Sequence, residues 1–417
     1  MILSLLLLVA FQGPAGFNYD EAKVPAYTLP DPLVFQDGTK VSNARQWQER
    51  RTQILRLFES QMYGKSPAPP KNLTFETFEQ SGDALAGLAT RKQIAVYFDK
   101  QKSVRMDVLL YLPKGAKGKT PVFLGINFNG NHAVAADPAI RMTESWTRDN
   151  ANTGYANHRA TEQSRGTNAS QWQVEKILRA GYGLATFYYG DVDPDYDNFD
   201  DGVHKLYYKA GQTRPAADEW GAVAAWGWGA SRVLDYLQTN REVDVKRVAL
   251  MGHSRLGKAA LWAAALDTRF AMVISNESGE GGAAIARRWY GETTKRINTS
   301  FPHWFCLNFR QYNDNEAKMP VDQHMLISLL APRPVYIASA QEDQWSDPMG
   351  EFLAGKLAMP VYKLLGVEAM AATEFPGLHE PILSRIGYHI RAGKHDVTAY
   401  DWEQYLAFAK KFLSTVL

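Results

Sequence analysis

The segment Arg-Val-Ala-Leu-Met-Gly-His-Ser-Arg-Leu-Gly-Lys (residues 247–258) is the most informative part of the chain. Its first five residues predict a buried strand, and the apolar pattern of Leu256–Leu266 predicts a helix. Ser254 therefore lies in a tight turn between a strand and a helix. This setting is typical of a nucleophile elbow, in which a sharp turn lifts a serine hydroxyl above the end of a sheet.

Two glycines flank this turn. Gly252 and Gly257 lack side chains, so the turn and the following helix can pack closely. The second glycine comes one position later than in the strict G-x-S-x-G pattern. The backbone N–H of Arg255 lies at the predicted helix N-terminus, where it can stabilise an oxyanion. The alternative interpretation is that Ser254 is only a helix N-cap.

Compact apolar runs alternate with helical patterns on both sides of this segment. The predicted strands are 90–98, 104–112, 121–128, 183–189, 247–252, 271–276, 334–340 and 385–391, and the clearest helices are 43–63, 220–237, 256–266, 349–365 and 398–413. The first two strands form an antiparallel hairpin, and the others alternate with helices as parallel strands do. The predicted fold class is α/β, with a mostly parallel central sheet, an N-terminal antiparallel hairpin, helices on both faces and inserted loops over the active site.

A nucleophilic serine needs a histidine base, which follows it along the chain in folds of this kind. His395 comes directly after the last predicted strand and before the last helix, so we expect it to be the base. His379 precedes that strand and is the alternative. His389 lies within the strand, and we expect it to be a core residue.

Two acidic residues compete to orient the histidine. Glu277 ends the predicted strand 271–276, and Asp343 follows the predicted strand 334–340. Site residues collect at the carboxyl ends of parallel strands. Either carboxylate can accept the imidazole N–H and leave the other ring nitrogen free as a base. The sequence leaves both open.

A second oxyanion donor is expected from the loop after an earlier strand. The predicted strand 121–128 runs into Asn-Gly-Asn-His (129–132), which can present backbone N–H groups. The alternative is an ordinary turn at the end of a strand.

Three motifs together resemble those of bacterial glucuronoyl esterases of carbohydrate esterase family 15. They are Gly-His-Ser-Arg-Leu-Gly-Lys (252–258), Asn-Glu-Ser-Gly-Glu-Gly-Gly (276–282) and Gly-Tyr-His-Ile-Arg-Ala-Gly-Lys-His-Asp (387–396). The resemblance implies an α/β-hydrolase fold that uses no metal and no cofactor. It also implies a serine esterase that hydrolyses the ester between (4-O-methyl-)glucuronic acid of glucuronoxylan and lignin alcohols, through a glucuronoyl-enzyme intermediate.

The resemblance also assigns catalytic roles. It implies that Ser254 is the nucleophile and His395 the base. Glu277 matches the position of the acid at the end of the strand after the elbow. Asp343 matches the alternative acid position of some bacterial members, so the acid stays undecided.

The resemblance further implies a pocket for the uronate. Arg255 and Lys258 match the cations of the elbow helix, Glu292 matches a carboxylate that binds hydroxyls, and Trp345 matches a wall beside the sugar. Arg255 and Lys258 are three residues apart, so they share one face at the start of a helix. A guanidinium beside the serine also stabilises a developing oxyanion.

Two other functions stay open at this point. The first is an acetyl-xylan esterase or general carboxylesterase on the same fold. The second, less favoured, is an inactive relative that only binds carbohydrate. A preference for acetyl esters favours the first, whereas a burst of acyl-enzyme excludes the second.

The composition excludes several classes of protein. The chain has 417 residues, of which 45% are hydrophobic and 22% are charged, as in globular proteins. Its 46 basic and 44 acidic side chains give a formal net charge of +2, too balanced for a protein that binds nucleic acid by neutralising phosphates. Cys306 is the single cysteine, which excludes an intramolecular disulfide and thiolate-rich metal sites.

The N-terminus predicts export. Residues 1–15 comprise a short apolar run that ends in small residues, as in a signal peptide cleaved near Ala15, and a buried strand or helix is the alternative. No other run is apolar enough to span a membrane, so we expect the mature protein to be soluble. We also expect it to be periplasmic or secreted, and to be a monomer. Residues 16–70 are predicted to form an arm and a helix. Residues 71–417 are predicted to form one catalytic domain with insertions near 133–175, 190–217 and 283–325.

Overall fold

A computed structural model describes residues 14–372 and 374–414 of the protein. Residues 1–13 of the predicted signal peptide lie outside the described residues, so the signal peptide stays a prediction. Among the described residues, no helix combines the length and the apolar character that crossing a membrane requires.

A nine-stranded sheet forms the centre of the described structure. In chain order the strands are Thr74–Ala84 (β1), Ala89–Tyr97 (β2), Arg105–Pro113 (β3), Thr120–Asn127 (β4), Tyr155–Ala156 (β5), Arg159–Ala160 (β6), Gly183–Tyr188 (β7), Val243–His253 (β8), Met272–Asn276 (β9), Val335–Ala340 (β10) and Ile386–Arg391 (β11), of which β5 and β6 form a separate small hairpin. The order in the large sheet is β1-β2-β3-β7-β4-β8-β9-β10-β11.

The strands from β7 to β11 in this order are parallel, and β1, β2 and β3 add an antiparallel edge. This arrangement confirms the predicted α/β-hydrolase type of sheet. The sequence analysis missed β1, because most of its side chains are exposed and polar and it lacks the apolar pattern of the other strands.

Nine α-helices accompany the sheet in the described part of the chain. They are Ala44–Phe58 (α1), Ala169–Trp172 (α2), Val174–Arg179 (α3), Ala222–Thr239 (α4), Arg255–Leu266 (α5), Thr294–Ser300 (α6), Gln323–Ser328 (α7), Pro348–Leu364 (α8) and Ala399–Phe412 (α9). The helix predicted over 43–63 is α-helical only to Phe58 and continues as a π-helical turn to Tyr63.

The helices pack on both faces of the sheet. Alternate residues of a strand point to opposite faces, and in β4 Leu124 belongs to one core cluster and Phe123 to the other. The first cluster includes Leu261 of α5, and the second includes Trp402 of α9. The sheet is therefore covered on both sides, which explains the continuous apolar runs of its central strands.

The register of the sheet aligns the ends of three strands. His253 of β8 pairs with Asn276 of β9, and Asn276 pairs with Ala338 of β10. The next residues, Ser254 and Glu277, therefore leave the sheet at the same edge. Chain segments far apart in sequence meet there.

Candidate active site

Ser254 occupies a strained turn between β8 and α5. Its backbone has φ +55° and ψ −130°, a conformation that non-glycine residues adopt mainly where the surrounding structure enforces it. Its N–H donates to the carbonyl of Asn276 at 2.8 Å, and its own carbonyl accepts from the N–H of Gly257 at 2.8 Å. The Ser254 hydroxyl makes no capping hydrogen bond to α5. This geometry is that of a nucleophile elbow and differs from the N-cap alternative.

The two glycines of the motif are required by packing. A Cβ atom at Gly252 would lie 1.9 Å from the carbonyl oxygen of Leu256. A Cβ atom at Gly257 would lie 2.9 Å from Cβ of Ser278, in the loop after β9. The late position of the second glycine thus lets α5 approach that loop closely.

His395 lies between both candidate acids. Its Nδ1 is 2.7 Å from Oδ2 of Asp343 and 3.1 Å from Oε2 of Glu277. The side chain of His395 is 40% exposed, whereas those of Asp343 and Glu277 are 5% and 0% exposed. Because Nδ1 faces the acids, it carries a proton and the opposite nitrogen, Nε2, is left for other chemistry.

The other two histidines considered make different contacts. Nε2 of His379 accepts a hydrogen bond from the N–H of Ala392 at 3.2 Å. His389 is fully buried, with Nε2 2.9 Å from Asp401 and Nδ1 3.0 Å from the hydroxyl of Tyr336. His389 is therefore a core residue, as its position within the strand predicted.

The two acids have different surroundings. Glu277 also accepts a 2.6 Å hydrogen bond from Arg391 and a 3.0 Å hydrogen bond from the N–H of Asp396. Asp343 makes its short contact with His395 and lies in the loop after β10. Glu277 is thus tied to the sheet and to the last loop, whereas Asp343 is directed chiefly to the histidine.

The pKa values of His395, Glu277 and Asp343 depend on one another. Burial favours the neutral imidazole, but the hydrogen bonds to Asp343 and Glu277 outweigh it and raise the pKa of His395 to about 10. Burial raises the pKa of Glu277 to about 7, against the opposing effect of His395. Burial also acts on Asp343, but its hydrogen bond with His395 holds the pKa of this carboxyl below the usual range. Asp343 is therefore the more readily ionised of the two acids.

His253 packs against His395. The two ring centroids are 4.4 Å apart, and Nδ1 of His253 is 2.5 Å from Oδ1 of Asn276. Burial, together with the charge of His395, lowers the pKa of His253 to about 3, so its ring is neutral. Among the described residues, His253, Glu277 and His395 also bring potential metal-ligand atoms within 4.8 Å of one another.

The guanidinium of Arg255 is held by a buried carboxylate. It forms an ion pair with Asp195, whose side chain is fully buried. Asp195 also accepts from Nε2 of His303 at 2.9 Å and from the indole of Trp304 at 2.8 Å. Burial alone would raise the pKa of Asp195, but His303 and Arg255 hold it well below its usual range. The carboxylate is therefore a stable anion that fixes the position of the arginine.

Aromatic rings surround the same guanidinium. It lies 4.9 Å from the ring centroid of Trp304, 5.5 Å from that of Phe128 and 5.7 Å from that of Phe301. These rings come from two separate parts of the chain, and cation–π contact favours a guanidinium at this position.

Lys258 and Glu292 lie close together. Nζ of Lys258 donates to the carbonyls of Ser278, at 2.6 Å, and of Glu280, and lies 3.8 Å from Oε2 of Glu292. It also lies 6.0 Å from the ring centroid of Trp304, so Arg255 and Lys258 reach the same indole. The two cations thus share one face at the start of α5, as their spacing predicted.

Trp345 is half-buried and lies next to Glu292. Its carbonyl accepts a 3.0 Å hydrogen bond from the N–H of Glu292. Its ring packs edge-on against Phe17, with centroids 4.9 Å apart. The predicted substrate-binding residues are therefore adjacent, and the N-terminal arm adds a ring that the sequence analysis did not consider.

Comparison with known proteins identifies the family. A family model described as "Glucuronyl esterase, fungi" matches residues 168–366. The carbohydrate esterase MZ0003, from an unknown prokaryotic organism, is 54% identical over 95% of this chain and 92% of its own length. The chain belongs to carbohydrate esterase family 15. It is a carboxylic ester hydrolase of the glucuronoyl esterase family, as the three motifs predicted.

Solved structures of other esterases of this family have the same fold. The glucuronoyl esterase from Solibacter usitatus superimposes with a TM-score of 0.90 at 53% identity, covering 94% of this chain and 100% of that one. A promiscuous CE15 esterase from a marine bacterial metagenome gives a TM-score of 0.90 at 54% identity, with 95% and 100% coverage. A relative found by sequence, 4-O-methyl-glucuronoyl methylesterase 1 of Phanerochaete chrysosporium, is 28% identical over 85% of this chain and 67% of its own length.

The predicted second oxyanion loop of this esterase lies beside the elbow. Gly130 has φ +95°, and its N–H donates to Oδ1 of Asn127 at 2.8 Å. The ring of Phe128 contacts the ring of His253, with centroids 5.9 Å apart. The turn is thus adjacent to Ser254, but the N–H of Gly130 is already used within the turn.

Several residues that surround the predicted site residues were missed by sequence reasoning. They are Phe17, Asp195, His253, His303, Trp304 and Arg391. Most lie in the arm or in the insertions, where no periodic pattern or motif marks them. His253 and Arg391 are the exceptions, because His253 stands inside the elbow motif and Arg391 lies within the motif 387–396 at the end of β11.

Proposed function

We propose that this esterase hydrolyses the ester between (4-O-methyl-)glucuronic acid of glucuronoxylan and lignin alcohols. The observation that carries the proposal is the position of two cations, the partly buried Arg255 and the buried Lys258, in the first turn of the helix that follows Ser254. A nucleophile beside fixed positive charge suits an acyl group whose intermediate and acid product are both negative. The relatives named 4-O-methyl-glucuronoyl methylesterase support the same substrate class.

The proposed reaction has two halves. Nε2 of His395 takes the hydroxyl proton of Ser254, whose oxygen attacks the uronoyl carbonyl carbon. His395 then gives the proton to the departing alcohol as the ester bond breaks. In the second half, His395 takes a proton from water, the hydroxide attacks the glucuronoyl-enzyme, and the proton returns to Ser254.

The surrounding groups support each half of the reaction. Asp343 accepts from Nδ1 of His395 and stabilises the imidazolium that forms, while Glu277 gives secondary support. The backbone N–H and the guanidinium of Arg255 face the developing oxyanion, where preorganised donors are most effective. Asp195 keeps that guanidinium in place.

The uronate ring is proposed to lie over the other side of α5. Glu292 accepts hydrogen bonds from ring hydroxyls, and Lys258, whose other two N–H groups bind backbone carbonyls, has one donor left next to it. Trp345 offers a flat ring that is only partly buried, as sugar faces require. The substrate-binding groups are thus separate from the groups that move protons.

A general carboxylesterase is the second candidate function. One similar structure is described as that of a promiscuous esterase, so simple esters are a realistic alternative substrate. The two candidates differ in the need for Glu292, which has no partner on an acetyl ester.

The experiment compares benzyl glucuronate with 4-nitrophenyl acetate. We expect Ser254→Ala to lose hydrolysis of both esters, and Ser81→Ala, which changes a half-buried serine on β1, to retain it. Glu292→Gln should raise KM for benzyl glucuronate and leave the acetyl ester unchanged. Retained turnover by Ser254→Ala would refute the mechanism, and equal loss on both esters in Glu292→Gln would refute the uronate pocket.

We also propose export and a simple domain organisation. Residues 1–15 act as a signal peptide, residues 16–70 form the arm and first helix, and residues 71–417 form one catalytic domain of a monomer. The apolar run before Ala15 supports export. N-terminal sequencing of protein recovered outside the cytoplasm should begin near Gly16, and an intact Met1 would contradict the proposal.

A further inference from the structure

A cavity of about 600 Å³ opens at the same edge of the sheet as Ser254. Its lining includes Arg105, Asp107, Arg141, Trp146, Asp191 and Tyr196. These residues come from the start of β3, from the loop after β7 and from the insertion near 133–175. The proposed reaction uses none of them, and the volume is within the usual range of about 300–1,000 Å³ for small-molecule sites.

The cavity is close to the reacting serine. Strands in a sheet are spaced about 4.8 Å apart, and β7 and β3 are the second and third strands from β8. The cavity therefore lies roughly 10–15 Å from Ser254, on the side of β8 opposite to Glu277. That separation suits one substrate chain that reaches both places.

One short segment joins the cavity to the arginine of the catalytic site. Pro194 and Tyr196 line the cavity, and Asp195 between them binds Arg255. Arg148, from the insertion that carries Trp146, also lies 3.1 Å from the Asp195 carboxylate. The segment 194–196 thus lines the cavity and also carries the carboxylate that positions Arg255.

Ion pairs and hydrogen bonds within the wall hold the charged groups of the cavity. Asp107 lies 2.6 Å from both Arg105 and Arg141, and Arg141 also lies 2.8 Å from Glu144. Arg159 donates to the backbone carbonyl of Glu144 at 2.5 Å. Two further acids of the lining accept hydrogen bonds from hydroxyl groups, Asp191 from Ser145 at 2.6 Å and Asp201 from Tyr196. With three arginines and four acids the lining is close to charge balance and rich in donors and acceptors, which suits a neutral ligand rich in hydroxyl groups.

One wall of the cavity is aromatic. The ring of Trp146 stacks on His158, with centroids 5.0 Å apart, and tilts against Tyr196 at 4.9 Å. The hydroxyl of Tyr188 donates to the Trp146 carbonyl at 2.8 Å, so the wall is tied to the end of β7. In the described part of the protein, the indole N–H of Trp146 has no acceptor and is free to donate to a ligand.

We propose that this cavity binds the neutral xylo-oligosaccharide chain that carries the uronate. Paired charges, a half-buried tryptophan and a fixed wall are the chemistry of a sugar site, whereas an aryl alcohol would favour an apolar lining. The proposal rests on the proposed function for the identity of the chain. The cavity is a substrate subsite separate from Lys258 and Glu292.

The first experiment measures binding without any ester. Isothermal titration with xylotetraose should give the same affinity for the wild type and Ser254→Ala, and an affinity about tenfold lower for Trp146→Ala. Trp146→Phe, which keeps a ring, should recover part of the loss. Absence of binding to the wild type, or unchanged binding to Trp146→Ala, would overturn the proposal. This readout does not depend on esterase activity.

The second experiment compares two benzyl esters, one of glucuronic acid alone and one of glucuronic acid linked to xylotetraose. Trp146→Ala should lower kcat/KM about tenfold for the second ester only. Trp289→Ala, which removes an exposed indole outside the cavity, should change neither. Equal losses on both esters would contradict a sugar site. A loss of activity on benzyl glucuronate but not on methyl glucuronate would also contradict it, because Trp146 would then contact the alcohol. If neither ester is cleaved, the proposed function fails while the xylotetraose titration still tests the cavity.

Discussion

Nδ1 of His395 lies 2.7 Å from the Asp343 carboxylate in the loop after β10. A second acid, Glu277, approaches the same nitrogen at 3.1 Å from the end of β9. One imidazole nitrogen thus faces two carboxylates, and their other contacts distinguish them.

We expect Asp343→Asn to lower kcat far more than Glu277→Gln. Loss of the Asp343 carboxylate removes the anion that fixes the tautomer, which costs about 10⁴-fold in a Ser-His-Asp site. Glu277→Gln should instead lower the free energy of unfolding by about 1.5–3 kcal/mol, because Arg391 loses a charged hydrogen-bond partner. Steady-state kinetics and urea unfolding of both variants make the comparison.

The reverse order of the kinetic effects would make Glu277 the main acid. If neither single change affects kcat, His395 is not the base. Because the two acids share one nitrogen, their effects should not be additive. The loss of activation free energy in the double variant should be smaller than the sum of the losses in the two single variants.

The pH profile should report the same pair of acids. Both hydrogen bonds favour the protonated imidazole and raise the pKa of His395 to about 10, and only the neutral ring can act as a base. The acidic limb of kcat/KM should therefore lie at higher pH than for an ordinary histidine, whose pKa is about 6.5. Activity should increase as pH rises through this limb.

Removal of either carboxylate should move that limb to lower pH. In Glu277→Gln and Asp343→Asn the imidazolium loses one negative neighbour, so its pKa falls. A pH–rate series from pH 5 to pH 10 on the two variants and the wild type measures the shift. A limb that stays in place, or moves to higher pH, would contradict the coupling.

Asp195→Asn should weaken catalysis through Arg255. The change removes the buried anion that holds the guanidinium, and loss of an oxyanion donor costs about 10²–10³-fold in kcat. We expect a large fall in kcat with a smaller change in KM for benzyl glucuronate. The matched control is Asp235→Asn on α4, which alters ion pairs with Arg232 of the same helix and with Arg269, after α5. Equal effects of the two variants would point to a loss of stability alone.

Gly252→Ala should disrupt the elbow. The new Cβ would lie 1.9 Å from the carbonyl of Leu256, so backbone must move, at a cost of about 3 kcal/mol or more. Gly82→Ala is the control, because nothing lies within 4 Å of its Cβ position. Thermal unfolding should show a large fall in Tm for the first variant and little change for the second, and similar Tm values would show that the elbow tolerates a side chain.

Phe17→Ala should raise KM for benzyl glucuronate. Phe17 packs edge-on against Trp345, and such an aromatic pair contributes about 0.5–1.5 kcal/mol. We expect a two- to tenfold increase in KM at nearly constant kcat, since Trp345 would lose its support. Leu307→Ala, at an exposed position, should leave KM unchanged. An unchanged KM in Phe17→Ala would show that the arm does not position the proposed sugar wall.

The sequence by itself determined the α/β fold, the elbow at Ser254 and the family. Buried parallel strands produce continuous apolar runs, and a strand–turn–helix with two glycines is a local pattern, so both are visible along the chain. The position of His395 followed from the order of the last strand and helix. Strand β1 was missed because its exposed, polar residues carry no such pattern.

Only the tertiary structure decided how distant residues share the site. The sheet register brings the ends of β8 and β9 together, and loop packing places Asp343 and Glu277 on one nitrogen of His395. Asp195 comes to Arg255 from an insertion without periodicity. These contacts join residues far apart along the chain, so their distances depend on the packing of the whole domain and leave no local signal in the sequence.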